Sequence, residues 1–332
     1  MVKTILKKRY VVLVCLLSLL FFSCGKETKN IKITGRVFGT SFSIIYEGEV
    51  DYAKQIDSLF NVVNQSMSTY LPDSDISKLN RNEPVEIDQH FKNVFSVSKE
   101  IYKATNGVFD PTIGDVVNAW SFGADKNKFL TDSTTIDSLM RFVGFDKVKL
   151  EGNSIVKQSG TYIEFNAIAK GYGVDVIADF LEAQNCNNYL VEIGGEIRAK
   201  GINKEKNSPW RVGLDEPRFD GEQSVLKGIT IGNVGMATSG TYRKFKTDAN
   251  GNRYAHIINT KTGYPSKTNI LSVSVIAKDC MTADAYATAF QAMGMEKVKE
   301  FLQEHPELKV FLIFENDTKE LETLSLNGFP SE

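Results

Sequence analysis

The chain has 332 residues, 42% of them hydrophobic and 24% charged. That is enough to bury a full core as one large or two smaller domains, and it excludes wholesale disorder. Its 39 Lys and Arg against 41 Asp and Glu give a formal net charge of −2, and no basic patch or arginine-rich tract is present, so no nucleic acid is expected as a partner.

Residues 1–23 open with Lys3, Lys7, Lys8 and Arg9, followed by an apolar run from Val11 to Phe22. This run is too short to span a bilayer comfortably and fits the core of a signal peptide. Ser23 before Cys24 resembles a bacterial lipobox, although Phe21 stands where Leu is commoner. Cleavage there leaves Cys24 as the lipidation site and residues 24–30 as a polar tether. The folded domain is then expected over 31–332, anchored by its lipid to a bacterial membrane and facing the periplasm. Removing four positive charges leaves 35 Lys and Arg against 41 Asp and Glu, a net of about −6. Cys186 and Cys280 then remain, either as a disulfide in an oxidising compartment or as two buried thiols.

Apolar residues at helical spacing predict a helix over 52–67, a second over 90–107 that stops at Gly107, and a third over 165–184. The third contains Gly171 and Gly173, each costing about 1 kcal/mol inside a helix, so something other than helix stability selects them. Strands are predicted at 42–48, 189–193, 210–217, 226–240, 254–259, 271–277 and 310–316. Strand clusters broken by single helices, without regular alternation, give an α+β fold. Neither a G-x-G-x-x-G turn after a strand nor a P-loop is present.

The Ala-rich helix KDCMTADAYATAFQAMG, 278–294, carries Asp284 and Thr288 four residues apart. On a helix these point the same way, and a carboxylate with a hydroxyl suits a hard cation; a solvated polar face is the plainer reading of the same spacing. Seven further stretches are too polar and glycine-rich for core packing: FGTSFS (38–43), MSTYLPDSDISKLN (67–80), FDPTIGDVVNAW (109–120), NAIAKGYGVD (166–175), EIGGEIRAKG (192–201), ATSGTYRKF (237–245) and AHIINTKTGYP (255–265). Together they offer glycines for close backbone approach, hydroxyls and amides for phosphate, and aromatic faces for flat rings.

FNAIAKGYGVD, VEIGGE, ATSGTYRKF, HIINTKTGYP and MTADAYATAFQAMG resemble, in order and spacing, the ApbE family of FAD:protein FMN transferases, and MSTYLPDSDISKLN and FDPTIGDVVNAW resemble its N-terminal motifs. The likeness covers nearly all of 35–315. It implies a T-fold-related α+β domain of mixed sheets and packed helices, with an FAD cleft between two lobes. It also implies a Mg²⁺ site formed by the Ala167 carbonyl, Asp284 and Thr288, and His256 as the catalytic base. Thr40, Ser41, Tyr70, Ser74, Asp75, Asp110, Pro111, Thr112, Lys170, Gly194, Gly195, Ser239, Gly240, Tyr242, Thr262 and Gly263 are expected to line the FAD cleft. The implied reaction moves the FMN half of FAD, which is substrate here, to a Ser or Thr hydroxyl of an exported acceptor protein and releases AMP. The expected acceptor carries a Ser/Thr-Gly-Ala-Thr-like segment.

The sequence departs from the family pattern at Asn166, usually Gly, at Glu196, usually Asp, and at Asn259, Thr260 and Lys261, where Asp, Pro and Arg are common. Two other readings use the same residues: an FAD pyrophosphatase, in which water replaces the acceptor hydroxyl, and a lipoprotein that binds FAD without chemistry.

Overall fold

A computed structural model describes residues 29–125, 131–242, 245–247 and 253–331. The expected leader, Cys24 and the tether up to residue 28 lie outside the described residues. Eight strands form one sheet whose spatial order follows the chain: β1 Asn30–Val37, β2 Thr40–Glu47, β3 Tyr189–Ile193, β4 Glu196–Lys200, β5 Val234–Gly240, β6 Ile270–Ala277, β7 Lys309–Glu315 and β8 Leu321–Leu326. Each pairs antiparallel with the next, so no parallel crossover is needed.

The remaining elements are insertions in this meander. Between β2 and β3, among the described residues, lie six α-helices: α1 Ala53–Met67, α2 Asp75–Asn80, α3 Gln89–Ala104, α4 Gly114–Ala119, α5 Ser133–Met140 and α6 Ala169–Ala183. A three-stranded sheet, built from Ile202–Asn203, Ser208–Asp215 and Val225–Ile231, separates β4 from β5. Helices α7 Cys280–Met293 and α8 Met295–Glu304 separate β6 from β7. Among the described residues no helix is long and apolar enough to cross a membrane.

Side-chain alternation explains the layering. Val273, Val275, Val310 and Leu312 face a core that includes Phe91 and Val94 of α3 and Ala283, Ala287 and Phe290 of α7. Their neighbours Ile276, Phe311 and Ile313 face Trp210, Ile229 and Ile231 of the three-stranded sheet. Strand β6 is buried over its whole length because both faces are covered. Helices on one face of an antiparallel sheet make this an α+β fold.

The helix ends follow ordinary capping chemistry. Asp88 accepts from the Phe91 amide at 2.8 Å to start α3, and Gly107 at φ +73° lets its amide return to the Tyr102 carbonyl at 2.8 Å. Helix α6 starts four residues later than predicted, because Ile168 and Ala169 both donate to the Phe165 carbonyl in a turn. Strand 254–259 is shortened to Arg253–Ala255, since Ile258 turns into a small satellite core with Val116, Ala119 and Ile136. Cys186 and Cys280 are both free and buried.

The two helical glycines answer to packing. A Cβ on Gly171 would meet the Cys280 carbonyl oxygen at 2.4 Å and Asp284 Cβ at 2.8 Å, and one on Gly173 would meet the Phe38 ring at 2.6 Å. Gly171→Ala gains about 1 kcal/mol of helix propensity but forces α6 and α7 apart, so a net loss of about 1–3 kcal/mol is expected. Thermal melting checks this, and a melting temperature at or above that of the parent chain would refute it.

Candidate active site

A cleft of about 420 Å³ lies between one end of the sheet and the satellite core. Two tight hairpin turns form its floor. Phe38 and Gly39, at φ +50° and +77°, join β1 to β2; Gly194 and Gly195, at φ +64° and +104°, join β3 to β4. Two consecutive positive φ values are what a two-residue hairpin of native twist requires. The turns pack closely: the Gly194 amide donates to the Ser41 carbonyl at 3.0 Å, and a Cβ there would meet Thr40 Cγ2 at 2.6 Å.

Of the residues expected at the site, Thr40, Tyr70, Asp110, Pro111, Ala167, Lys170, Gly194, Ser239, Gly240, His256, Asp284 and Thr288 line this one cleft. They come from positions 40 to 288, so the fold and not local sequence gathers them.

Eight others do not line it, and each has a different task. The Ser41 carbonyl ties the two hairpins together. Ser74 is fully buried, accepts from the Ser77 amide at 3.2 Å as the cap of α2, and donates to the Ser68 carbonyl at 2.7 Å. Asp75 occupies the first turn of that helix. Thr112 donates to Asp110 Oδ1 at 2.5 Å and accepts from the Gly144 amide at 2.7 Å. Gly195 donates to Glu192 at 2.7 Å. Tyr242 is buried against Gly240. The Thr262 and Gly263 amides close a turn on the Asn259 carbonyl, and Gly263 packs on Ile136 and Met140.

The cleft also holds residues that no motif singled out as ligand contacts. Phe122 sets its ring edge-on to His256 with centroids 6.2 Å apart. Glu164 accepts from the Asn166 amide group at 2.7 Å, and Thr260 donates to the Gly107 carbonyl at 2.5 Å. Glu196 is the most consequential. It is 1% exposed, and its Oε1 meets Lys170 Nζ at 2.5 Å. Its replacement of the commoner Asp was the one signal that could have marked it.

Electrostatically the floor is acidic, and its carboxyl groups are buried. Burial pushes the Glu196 carboxyl up to about 7 against the pull of Lys170, and burial also raises Asp284, opposed by Lys170 and by the Gly171 amide. Asp284 Oδ2 accepts from that amide at 2.9 Å. Asp110 is likewise raised by burial, with its oxygens turned to Thr112 and Phe145. Two carboxyl groups thus share one ammonium at the floor, and Glu196 Oε2 is buried with no hydrogen-bond partner. Such a site favours an added cation. Among the described residues no group of three or more His, Cys, Asp or Glu side chains is placed to hold a metal. A cation here would therefore draw on Asp284 with neutral oxygens such as the Thr288 hydroxyl, a hard donor set that fits Mg²⁺ completed by phosphate and water.

Known proteins resemble this chain over most of its length. The sequence profile of the ApbE family matches residues 38–312. A protein of Haemophilus influenzae named FAD:protein FMN transferase is 38% identical over 89% of this chain and 89% of its own length. One of the same name from Vibrio cholerae is 35% identical over 96% and 99%. The solved flavin transferase ApbE from Vibrio cholerae superposes with a TM-score of 0.81 at 33% identity, covering 90% of this chain and 97% of that one. The chain belongs to the ApbE family.

Proposed function

We propose that this chain is an FAD:protein FMN transferase that moves the FMN half of FAD onto a Ser or Thr hydroxyl of an exported acceptor protein. The observation that carries the reading is the meeting of Asp284, Thr288, Lys170 and His256 in one cleft of a chain that belongs to this family. The acceptor oxygen forms a bond to the FMN phosphorus, the bond from that phosphorus to the bridging oxygen breaks, and AMP leaves with that oxygen.

Asp284, Thr288 and the Ala167 carbonyl would hold Mg²⁺, which when bound supplies charge neutralisation to the pyrophosphate. The chain's own groups do the rest. Lys170, held by Glu196, offers a fixed positive charge to phosphate. His256, at the cleft wall beside Phe122, takes the proton from the acceptor hydroxyl. The Gly194-Gly195 turn presents backbone without side-chain bulk, so a flat ligand can approach closely there. A Ser/Thr-Gly-Ala-Thr-like segment of the acceptor, and anchorage of the enzyme through lipid on Cys24 with the domain in the periplasm, belong to the same proposal.

The test incubates the domain from Lys26 onward with FAD and an exported flavoprotein candidate, in Mg²⁺ or in EDTA. AMP release with an acceptor heavier by FMN minus water, both lost in EDTA, is the expected result. AMP with equal free FMN and an unmodified acceptor would point to a pyrophosphatase, and intact bound FAD would leave a carrier.

A further inference from the structure

The N-terminus of α7 is held by a residue from another helix. Its own cap, Asp279, serves the Thr282 amide at 2.8 Å and, through its carbonyl, the Ala283 amide at 3.3 Å. The first two amides, of Cys280 and Met281, instead donate to Asp175 Oδ1 and Oδ2 on α6, at 3.0 and 2.8 Å. Asp175 is 5% exposed, and Arg198 on β4 closes on its Oδ1 at 3.1 Å while also reaching Asp179 at 2.9 Å and Glu182 at 3.2 Å. One turn earlier on α6, the Gly171 amide donates to Asp284 Oδ2 at 2.9 Å.

The two helices are therefore joined by opposed links. A carboxylate of α6 grips amides of α7, and a carboxylate of α7 grips an amide of α6. Contact at Gly171, with no room for a methyl group, removes the slack between them. Cys280, Asp284 and Thr288 lie at i, i+4 and i+8, one stripe of α7, with steps of about 6 Å along the axis. A grip on the amide of Cys280 thus fixes both the rotation and the axial position of the stripe one turn from Asp284 and two turns from Thr288. Mg²⁺ needs that accuracy, because it accepts only near-octahedral oxygens at about 2.1 Å.

A buried carboxylate is a costly cap, since a neutral hydroxyl or amide could satisfy one or two amides without desolvating a charge. Burial does push Asp175 upward, against the two amides and Arg198. A charged, two-oxygen cap braced from the sheet holds the helix end in both directions at once, as a single hydroxyl would not.

We infer that Asp175 is a positioning residue for the cation site, setting where Asp284 and Thr288 stand relative to the start of α6. This rests on the Mg²⁺ reading given above. The probe is Mn²⁺, titrated by electron paramagnetic resonance into the full-length chain in detergent, without FAD. Asp175→Asn is expected to weaken Mn²⁺ about tenfold, the scale usual for residues that orient metal ligands, and Arg198→Gln to act in the same direction and less. Ile229→Val, in the distant core under the three-stranded sheet, controls for lost stability and is expected to leave the affinity unchanged. Asp284→Ala is expected to abolish the site. Parent-like affinity in Asp175→Asn and Arg198→Gln, with the site lost in Asp284→Ala, would overturn this inference and leave the cation reading standing. An equal loss in Ile229→Val would overturn it by tracing the effect to stability. Parent-like affinity in Asp284→Ala would remove the cation reading and this inference together.

Discussion

Asp284→Ala is expected to lower Mg²⁺-dependent turnover of FAD by about a thousandfold or more. Asp284 is the one carboxylate among the proposed ligands, and it lies on the cleft floor at 6% exposure. A bound metal stabilises developing phosphoryl charge by several kcal/mol, and about 4 kcal/mol corresponds to about three orders of magnitude in rate. The substitution also strips the Gly171 amide of its acceptor, a loss of about 1–3 kcal/mol in stability. Asp284→Asn separates the two effects, since it keeps an oxygen for that amide while removing the charge. AMP release across a Mg²⁺ titration is the readout. Full turnover in both variants would remove Asp284 from the metal site.

His256→Ala is expected to slow FMN transfer by about a hundredfold to ten-thousandfold, the range for a positioned general base, while FAD still binds. The imidazole lines the cleft next to Phe122. Removing it leaves Asp284, Lys170 and the hairpin turns untouched. Flavin fluorescence anisotropy reports binding, and acceptor mass reports transfer. Transfer at the parent rate would take the proton-accepting role away from His256.

The parts of this architecture that repeat along the chain were legible in it. Helical spacing places α1 within one residue of its start, and the apolar runs at 271–277 and 310–316 are strands β6 and β7. Strand β1 alternates Ile31 and Ile33 with polar residues and adds Val37, but as a sheet edge its residues are only half-buried or exposed, so the pattern is weak. Helix α8 is short, and only Val298 and Leu302 of it are buried. The 254–259 run reads as a strand from β-branched content, yet its isoleucines were wanted by a core that no local pattern announces.

The site divides along the same line. Asp284 and Thr288 could be paired from helical geometry alone, whereas Ser74 and Thr112, equally polar and near equally suggestive motifs, turn inward to hold backbone. A hydroxyl's direction is decided by its tertiary neighbours, so the motif marks the loop and not the atom that meets the ligand. Glu196 shows the reverse case: its burial with Lys170 depends on α6 crossing beside the β3–β4 hairpin, and the sequence shows only that it is longer than the usual Asp.

The first hairpin also fixes a direction in space. Strand β1 enters at Asn30, paired with Glu47, and reaches the cleft only at Phe38, on the far side of its eight residues. At about 3.3 Å per residue the two ends stand about 25 Å apart. On the anchorage proposed above, the lipid therefore holds the enzyme by its back. On that anchorage the β1–β2 pairing sets the cleft about one strand length from the point where the chain enters the sheet.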